Sequence, residues 1–142
     1  MSGPAIHWAI LAVALSVFGC GEKAPPTNPD TGARLAAETY FGGLIAGDDP
    51  RAFATLDPVS KRRVSADQFA ILTRTYVKNL GFTADTVHIQ ASEEQGDTAT
   101  VHVALTGSLA GHSRRYIDGI TLSRMEGQWR VSIPKNFGLK AR

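Results

Sequence analysis

The stretch Thr98-Ala99-Thr100-Val101-His102-Val103-Ala104-Leu105-Thr106 decides the fold. Ala99, Val101, Val103 and Leu105 alternate with Thr100, His102, Ala104 and Thr106, the period of two that gives a strand one buried face. Three other segments repeat the pattern. Val87, Ile89 and Ala91 alternate with His88, Gln90 and Ser92. Ile120 and Leu122 alternate with Gly119, Thr121 and Ser123. Trp129, Val131 and Ile133 alternate with Arg130 and Ser132. Together they predict an antiparallel sheet with one packed face and one wet face.

Register follows from the rule that paired residues share a face. A hairpin loop Glu94-Gln95-Gly96, with Gly96 left-handed, sets Ile89 opposite Val101 and Val87 opposite Val103. A tip spanning Ala110–Ser113 sets Val101 opposite Leu122 and Val103 opposite Ile120. A Glu126-Gly127 turn sets Leu122 opposite Val131 and Ile120 opposite Ile133. The three loops agree on one apolar face, so the expected sheet is a four-stranded meander.

Upstream, the period changes to that of a helix. Asp30 or Thr31 caps a first helix that runs to about Ala46, with Ala33, Ala37, Tyr40, Phe41 and Leu44 on one side. Gly42-Gly43 within it suit the close approach of another element, and Gly47 ends it. Asp49 as N-cap and Pro50 at the first position start a short second helix that buries Phe53 and Leu56 and stops at Asp57-Pro58. Ser65 and Gln68 form a capping box for a third helix. Phe69, Leu72, Tyr76 and Leu80 make its stripe, and Gly81-Phe82 closes it. The fold class is therefore α+β, with N-terminal helices packed on a curved four-stranded antiparallel meander.

Tyr40-Phe41-x-x-Leu44, Gly47-Asp48, Phe53-x-x-Leu56 and Gly127-x-Trp129-x-Val131 resemble the opening and closing patterns of the nuclear-transport-factor-2-like superfamily, a cone-shaped α+β fold. The resemblance covers roughly residues 30–137 and points to small bacterial lipoproteins carrying that fold. It implies that the apolar face of the sheet lines a pocket.

By the register above, Asp118 lies on that face opposite Leu105, beside Tyr116 opposite Gly107. A carboxylate in an apolar pocket can act as a general acid or base. The plainer reading is that Asp118-Gly119 marks a bulge that turns the carboxylate outward. Tyr40 and Tyr76 can aim phenols into the pocket, or be ordinary aromatic core. On the wet face, His88 and His102 oppose each other across the first hairpin. A metal needs further ligands, and the register supplies none beside them, so no metal and no cofactor are expected. That face, with His88, Gln90, Thr100, His102, Thr121, Ser123 and Arg130, is a candidate surface for a homodimer or an envelope protein. Lys61-Arg62-Arg63 and Arg114-Arg115 read as solvated segments.

The N-terminus gives an address. An apolar run from Ile6 to Phe18 leads to Val17-Phe18-Gly19-Cys20, and this resembles the lipobox of a bacterial lipoprotein signal peptide. The resemblance implies a signal peptide over 1–19, acylation of Cys20 (palmitate or a related chain) and a proline-broken tether over 20–29. An α+β cone domain over 30–142 then follows. Gly21 after the cysteine resembles lipoproteins sorted to an outer membrane. The expected location is the cell envelope, on the non-cytoplasmic side of a membrane. Cys20 is the single cysteine, so no intramolecular disulfide can form.

Charge is nearly balanced, at formal net +2. With no long basic run and no interleaved aromatics, nucleic acid is not an expected partner. Metal-ligand spacings, a nucleophile elbow and a phosphate loop are absent from the sequence. The expected function is a membrane-anchored envelope domain that binds a small ligand or a protein partner without catalysis. The alternative is a pocket enzyme of the SnoaL or ketosteroid-isomerase type, an isomerase, cyclase or lyase using Asp118.

Overall fold

The structure is a computed structural model that describes residues 29–139. The signal-like stretch, Cys20 and the tether as far as residue 28 lie outside the described residues. The elements run α1 (Ala33–Ala46), α2 (Asp49–Ala54), α3 (Pro58–Arg63), α4 (Ala66–Leu80), β1 (Thr83–Gln95), β2 (Thr98–Leu109), β3 (His112–Met125) and β4 (Gln128–Ser132). The strands form one antiparallel meander in chain order, as the alternation predicts.

Helices α2, α3 and α4 start where short polar side chains meet free N–H groups. Asp48, not Asp49, caps α2 and accepts from the Arg51 N–H at 3.2 Å. Pro50 therefore sits one position further in, where no intrahelical bond is lost. Asp57-Pro58 is a start and not only a stop: the Asp57 carboxylate accepts from the Ser60 N–H at 2.6 Å, and Pro58–Arg63 forms α3. This helix was not expected from the sequence, and its last turn holds Lys61, Arg62 and Arg63. Ser65 and Gln68 make the predicted capping box, and Gly81 ends α4 left-handed at φ 73°. The glycines of α1 serve the predicted close approach. A Cβ on Gly43 would lie 2.9 Å from the Ala52 Cβ, so α2 rests directly on the α1 backbone.

Two hairpins close more tightly than the sequence reading expects. The first turns on Gly96-Asp97, with Gly96 at φ 60°, and pairs Gln95 with Thr98. A two-residue turn alone would flip Ile89 to the wet face. Bulges in β1, at Gln90 and again at Asp85, change the parity. Ile89 thus pairs with Val103 and Val87 with Leu105, not with Val101 and Val103 as expected. Beyond the Gln90 bulge, Ser92 and Glu94 pair with Val101 and Ala99. The second hairpin turns on Ala110-Gly111, at φ 49° and 79°. Val101 therefore pairs with Ile120 and Val103 with Asp118, two residues from the expected partners. A shift of two preserves the face, so the inner side survives the correction. The third turn is Glu126-Gly127, as predicted, with Leu122 opposite Val131.

The helices cover one side of the sheet. Tyr40, Phe41, Leu44, Leu56, Phe69, Val101, Val103, Leu105, Ile120, Leu122, Trp129 and Val131 are buried between the layers, with Phe53 and Leu72 partly buried against them. Two polar ties fix the ends of this stack. The Glu94 carboxylate accepts from the Thr31 N–H at 2.9 Å and the Thr31 hydroxyl at 2.8 Å, anchoring the start of α1, whose N-cap Gly32 has no side chain to offer. The same Thr31 oxygen accepts from the Trp129 indole at 2.9 Å. At the other end, the buried Asp57 accepts from the Ser132 hydroxyl as well as Ser60, and its own N–H donates to the Val131 carbonyl at 2.8 Å. Ser60 Oγ accepts from the Ile133 N–H at 3.1 Å, and Arg63 donates to the Ile133 carbonyl at 2.5 Å. Burial alone would raise the Asp57 carboxyl, but these hydrogen bonds and the Arg63 charge outweigh it and hold it below its ordinary range.

Candidate functional site

Pairing of β2 with β3 runs without interruption across residue 118, so no bulge turns Asp118 outward. The carboxylate shares the inner face with its neighbour Val103, which is fully buried. Two donors hold it. The Tyr76 hydroxyl, from α4, donates to Asp118 Oδ2 at 2.7 Å. The Gly119 N–H donates to Oδ1 at 2.8 Å. Tyr76 reaches it because positions 69, 73 and 76 of α4 lie on one helical face, the face that meets the sheet.

Tyr40 approaches from α1. It is 1% exposed, and its hydroxyl has no hydrogen-bond partner among the described residues. Burial, then the nearby Asp118 charge, pushes its phenol well above the ordinary range. Tyr76 is pushed up by the same two causes and by its hydrogen bond to Asp118. Both phenols therefore stay protonated at neutral pH and act as O–H groups, not bases. Tyr116 pairs with Leu105, not Gly107, and is 42% exposed. Its phenol is also raised, by partial burial and by Asp118. The structure thus brings Tyr40, Tyr76 and Asp118 together between the helices and the sheet, with Tyr116 exposed at the edge of the group.

Phe137 occupies the same region, and no sequence signal had singled it out. It comes from the segment after β4, which belongs to neither helix nor strand. Its ring stacks on Tyr76 (5.4 Å between centroids, 29°) and on Phe69 (5.7 Å, 18°), and lies 6.3 Å from Tyr40. The hint available in the sequence was an aromatic residue followed by glycine just beyond the last strand.

Among the described residues no helix packs on the polar face of the sheet. His88, Gln90, Thr100, His102 and Thr121 are exposed on it, and Ile117 is 51% exposed beside them. The expected opposition of the two histidines does not occur. The hairpin register pairs His88 with Ala104 and His102 with Ala91 and Gly119. The His102 ring lies against Gly119, where a Cβ would stand 2.9 Å from Nδ1. Among the described residues no group of three His, Cys, Asp or Glu is placed to hold a metal ion. Gln90 accepts from Arg115 at 2.6 Å. Ser123 pairs with Arg130, whose guanidinium folds back to the Ala54 carbonyl at 3.0 Å.

The backbone has known counterparts. A SEC-C motif-containing protein of Rhodopseudomonas palustris superposes with a TM-score of 0.55 at 15% identity, covering 74% of this chain and 79% of that one. A protein described as a nuclear-transport-factor-2-like transpeptidase of Campylobacter jejuni superposes with a TM-score of 0.54 at 15% identity, covering 71% of this chain and 97% of that one. No family model and no curated protein sequence matches the chain. Helices laid on a curved, open antiparallel meander are the nuclear-transport-factor-2-like fold, and this chain has it. The fold hosts ligand-binding and enzyme domains, so the site has to decide between them.

Proposed function

We propose that this protein is a lipid-anchored domain of the bacterial cell envelope that binds a small ligand inside its cone and does not turn it over. The observation that carries the binding reading is the Tyr76–Asp118 hydrogen bond, 2.7 Å long, on the inner face of the sheet. A carboxylate already committed to a phenol and to a backbone N–H is a fixed polar anchor on the inner face of the sheet, a group that can orient a small molecule. Screening small molecules by their effect on melting temperature tests this. A ligand should raise the melting temperature of the wild type and have about tenfold weaker affinity for Asp118→Asn, the loss of one charge-assisted contact.

The enzyme reading uses the same pair. Asp118 is the general acid or base and Tyr76 the group that shares its proton. It replaces the binding reading if the purified protein consumes a bound compound and Asp118→Asn cuts the rate by about 10²–10⁴.

Anchoring rests on the lipobox-like Val17-Phe18-Gly19-Cys20 and the prolines that follow. Two or three acyl chains on Cys20 would hold the domain stably at a membrane, at about 0.8 kcal/mol per buried CH2. With Gly21 next, the expected destination is an outer membrane where the cell has one. Cys20→Ser should move the protein from the membrane to the soluble fraction. Equal partition of the two forms refutes the anchor.

A protein partner, either a second copy or an envelope protein, is the further reading of the wet face. Ile117 supports it, being half exposed on a sheet surface that no helix among the described residues covers. Ile117→Glu should then abolish any self-association seen by sedimentation.

A further inference from the structure

We propose that the cleft between the C-terminal end of α1, Asp49 and α4 is a second binding site, separate from the cone interior. Its ligand is a small aliphatic zwitterion, an amino acid or dipeptide with free amino and carboxyl ends. The cleft shares no residue with the group formed by Tyr40, Tyr76 and Asp118.

The cleft has a volume of about 560 Å³, within the range of about 300–1,000 Å³ typical of small-molecule sites. Leu44, Ile45 and Val77 give it apolar walls. Two polar atoms of its lining residues are unpaired. Thr73 is 1% exposed, and its Oγ1 has no hydrogen-bond partner among the described residues. A helical threonine can return its hydroxyl to the carbonyl four residues back, as Thr75 does to Ile71 at 3.1 Å. Asp49 Oδ1 is also buried and unpartnered among the described residues. Each oxygen carries a desolvation cost that a donor from a ligand would remove.

Charge gives the cleft two unlike sides. On one, Asp49 stands near Ala46 and Gly47, where α1 stops with no basic residue in its last turn. The carboxylate and the negative end of the helix dipole both favour a cation there. On the other, Arg74 and Lys78 lie one turn apart on α4. Neither is ion-paired with Asp49 among the described residues. A simple amine would meet the two cations, and a simple carboxylate would meet Asp49. A zwitterion answers both sides and lays its aliphatic body on Ile45 and Val77.

Calorimetric titration of the full chain with L-leucine and with L-leucyl-L-leucine tests the site and sets the length of its ligand. At least one should bind saturably. Acetylating its amino group, or converting its carboxyl to the amide, should weaken binding about tenfold or more, one charge-assisted contact in each case. Asp49→Asn should weaken the free ligand by a similar factor and leave the acetylated form unchanged. Asp49 is part-exposed and makes no hydrogen bond through Oδ1, so this change spares the fold. Thr73→Val, which keeps the shape and removes the hydroxyl, should weaken binding about threefold or more. In amide spectra Gly47 and Thr73 should shift with the bound ligand while Gly119, in the cone, stays. No saturable binding of either probe, equal affinity for either blocked form, or full affinity in Asp49→Asn overturns the site. Shifts at Gly119 with Gly47 and Thr73 unmoved overturn it as well.

Discussion

Replacing Asp57 by alanine removes the knot that ties α3 to β4. In the wild type the carboxylate accepts from the Ser60 N–H and from the Ser132 hydroxyl while itself 5% exposed. Alanine deletes an N-cap, worth about 0.5–2 kcal/mol. It also leaves the part-buried Ser132 hydroxyl without its acceptor, worth about 1–3 kcal/mol. The sum is about 3 kcal/mol, a large share of the ~5–15 kcal/mol that holds a domain of this size together. The melting temperature at neutral pH should fall by about 10–15 °C. The effect should depend on pH with a definite sign. The folded protein holds the Asp57 carboxyl below its ordinary range. Its stabilisation is therefore complete above the unfolded value of about 3.9 and is lost as pH falls through the lower folded value. Thermal melts of wild type and Asp57→Ala by circular dichroism at pH 7 and at about pH 2.5 read this directly. The gap should be wide at pH 7 and narrow in acid. An equal gap at both pH values, or none at pH 7, would refute the reasoning.

Glu94→Ala should lower stability by about 1–2 kcal/mol, because α1 then starts at a glycine with no side-chain cap; an unchanged urea midpoint contradicts it. Gly43→Val should cost about 1–3 kcal/mol by prising α2 off α1, whose backbones meet at Ala52, with Gly42→Ala as the milder comparison. Raised phenols favour the protonated folded state, so the contribution of Tyr40 and Tyr76 is full below about pH 10 and declines as pH rises above it. Tyrosinate absorbance should therefore rise for these residues only together with alkaline unfolding, and an earlier, reversible ionisation of Tyr76 in the folded state would count against the site.

The inner face of the sheet was legible because alternation survives errors of register. Val101, Val103, Ile120 and Leu122 are inward whether the second hairpin turns on two residues or four, since the difference is even. The partners were not legible. Ala110 at φ 49° gives no compositional warning of a tight turn, and the bulge at Gln90 looks like any polar residue of a strand. For the same reason the two histidines looked opposed when they are not. Helix α3 was missed because Asp57-Pro58 marks an end and a beginning alike, and only the tertiary contacts with Ser132 choose between them. In the site, the sequence placed Asp118 and Tyr116 on one face. It could not show that Tyr76 from another element reaches the carboxylate, since that depends on how α4 lies across the sheet. Phe137 lay beyond every periodic segment, and periodicity carries no information there.

The central claim is that this domain binds its ligand in the cone interior beside Asp118 and Tyr76, and not on the exposed side of the sheet. Amide spectra of the folded domain, recorded while a mixture of small aryl alcohols and carbonyls is titrated in, test it directly. The account predicts saturable shifts at Tyr76, Gly119 and Gly138, with Thr100, Thr121 and His88 unmoved. Shifts confined to Thr100, Thr121 and His88, or none up to the solubility of the compounds, would contradict it.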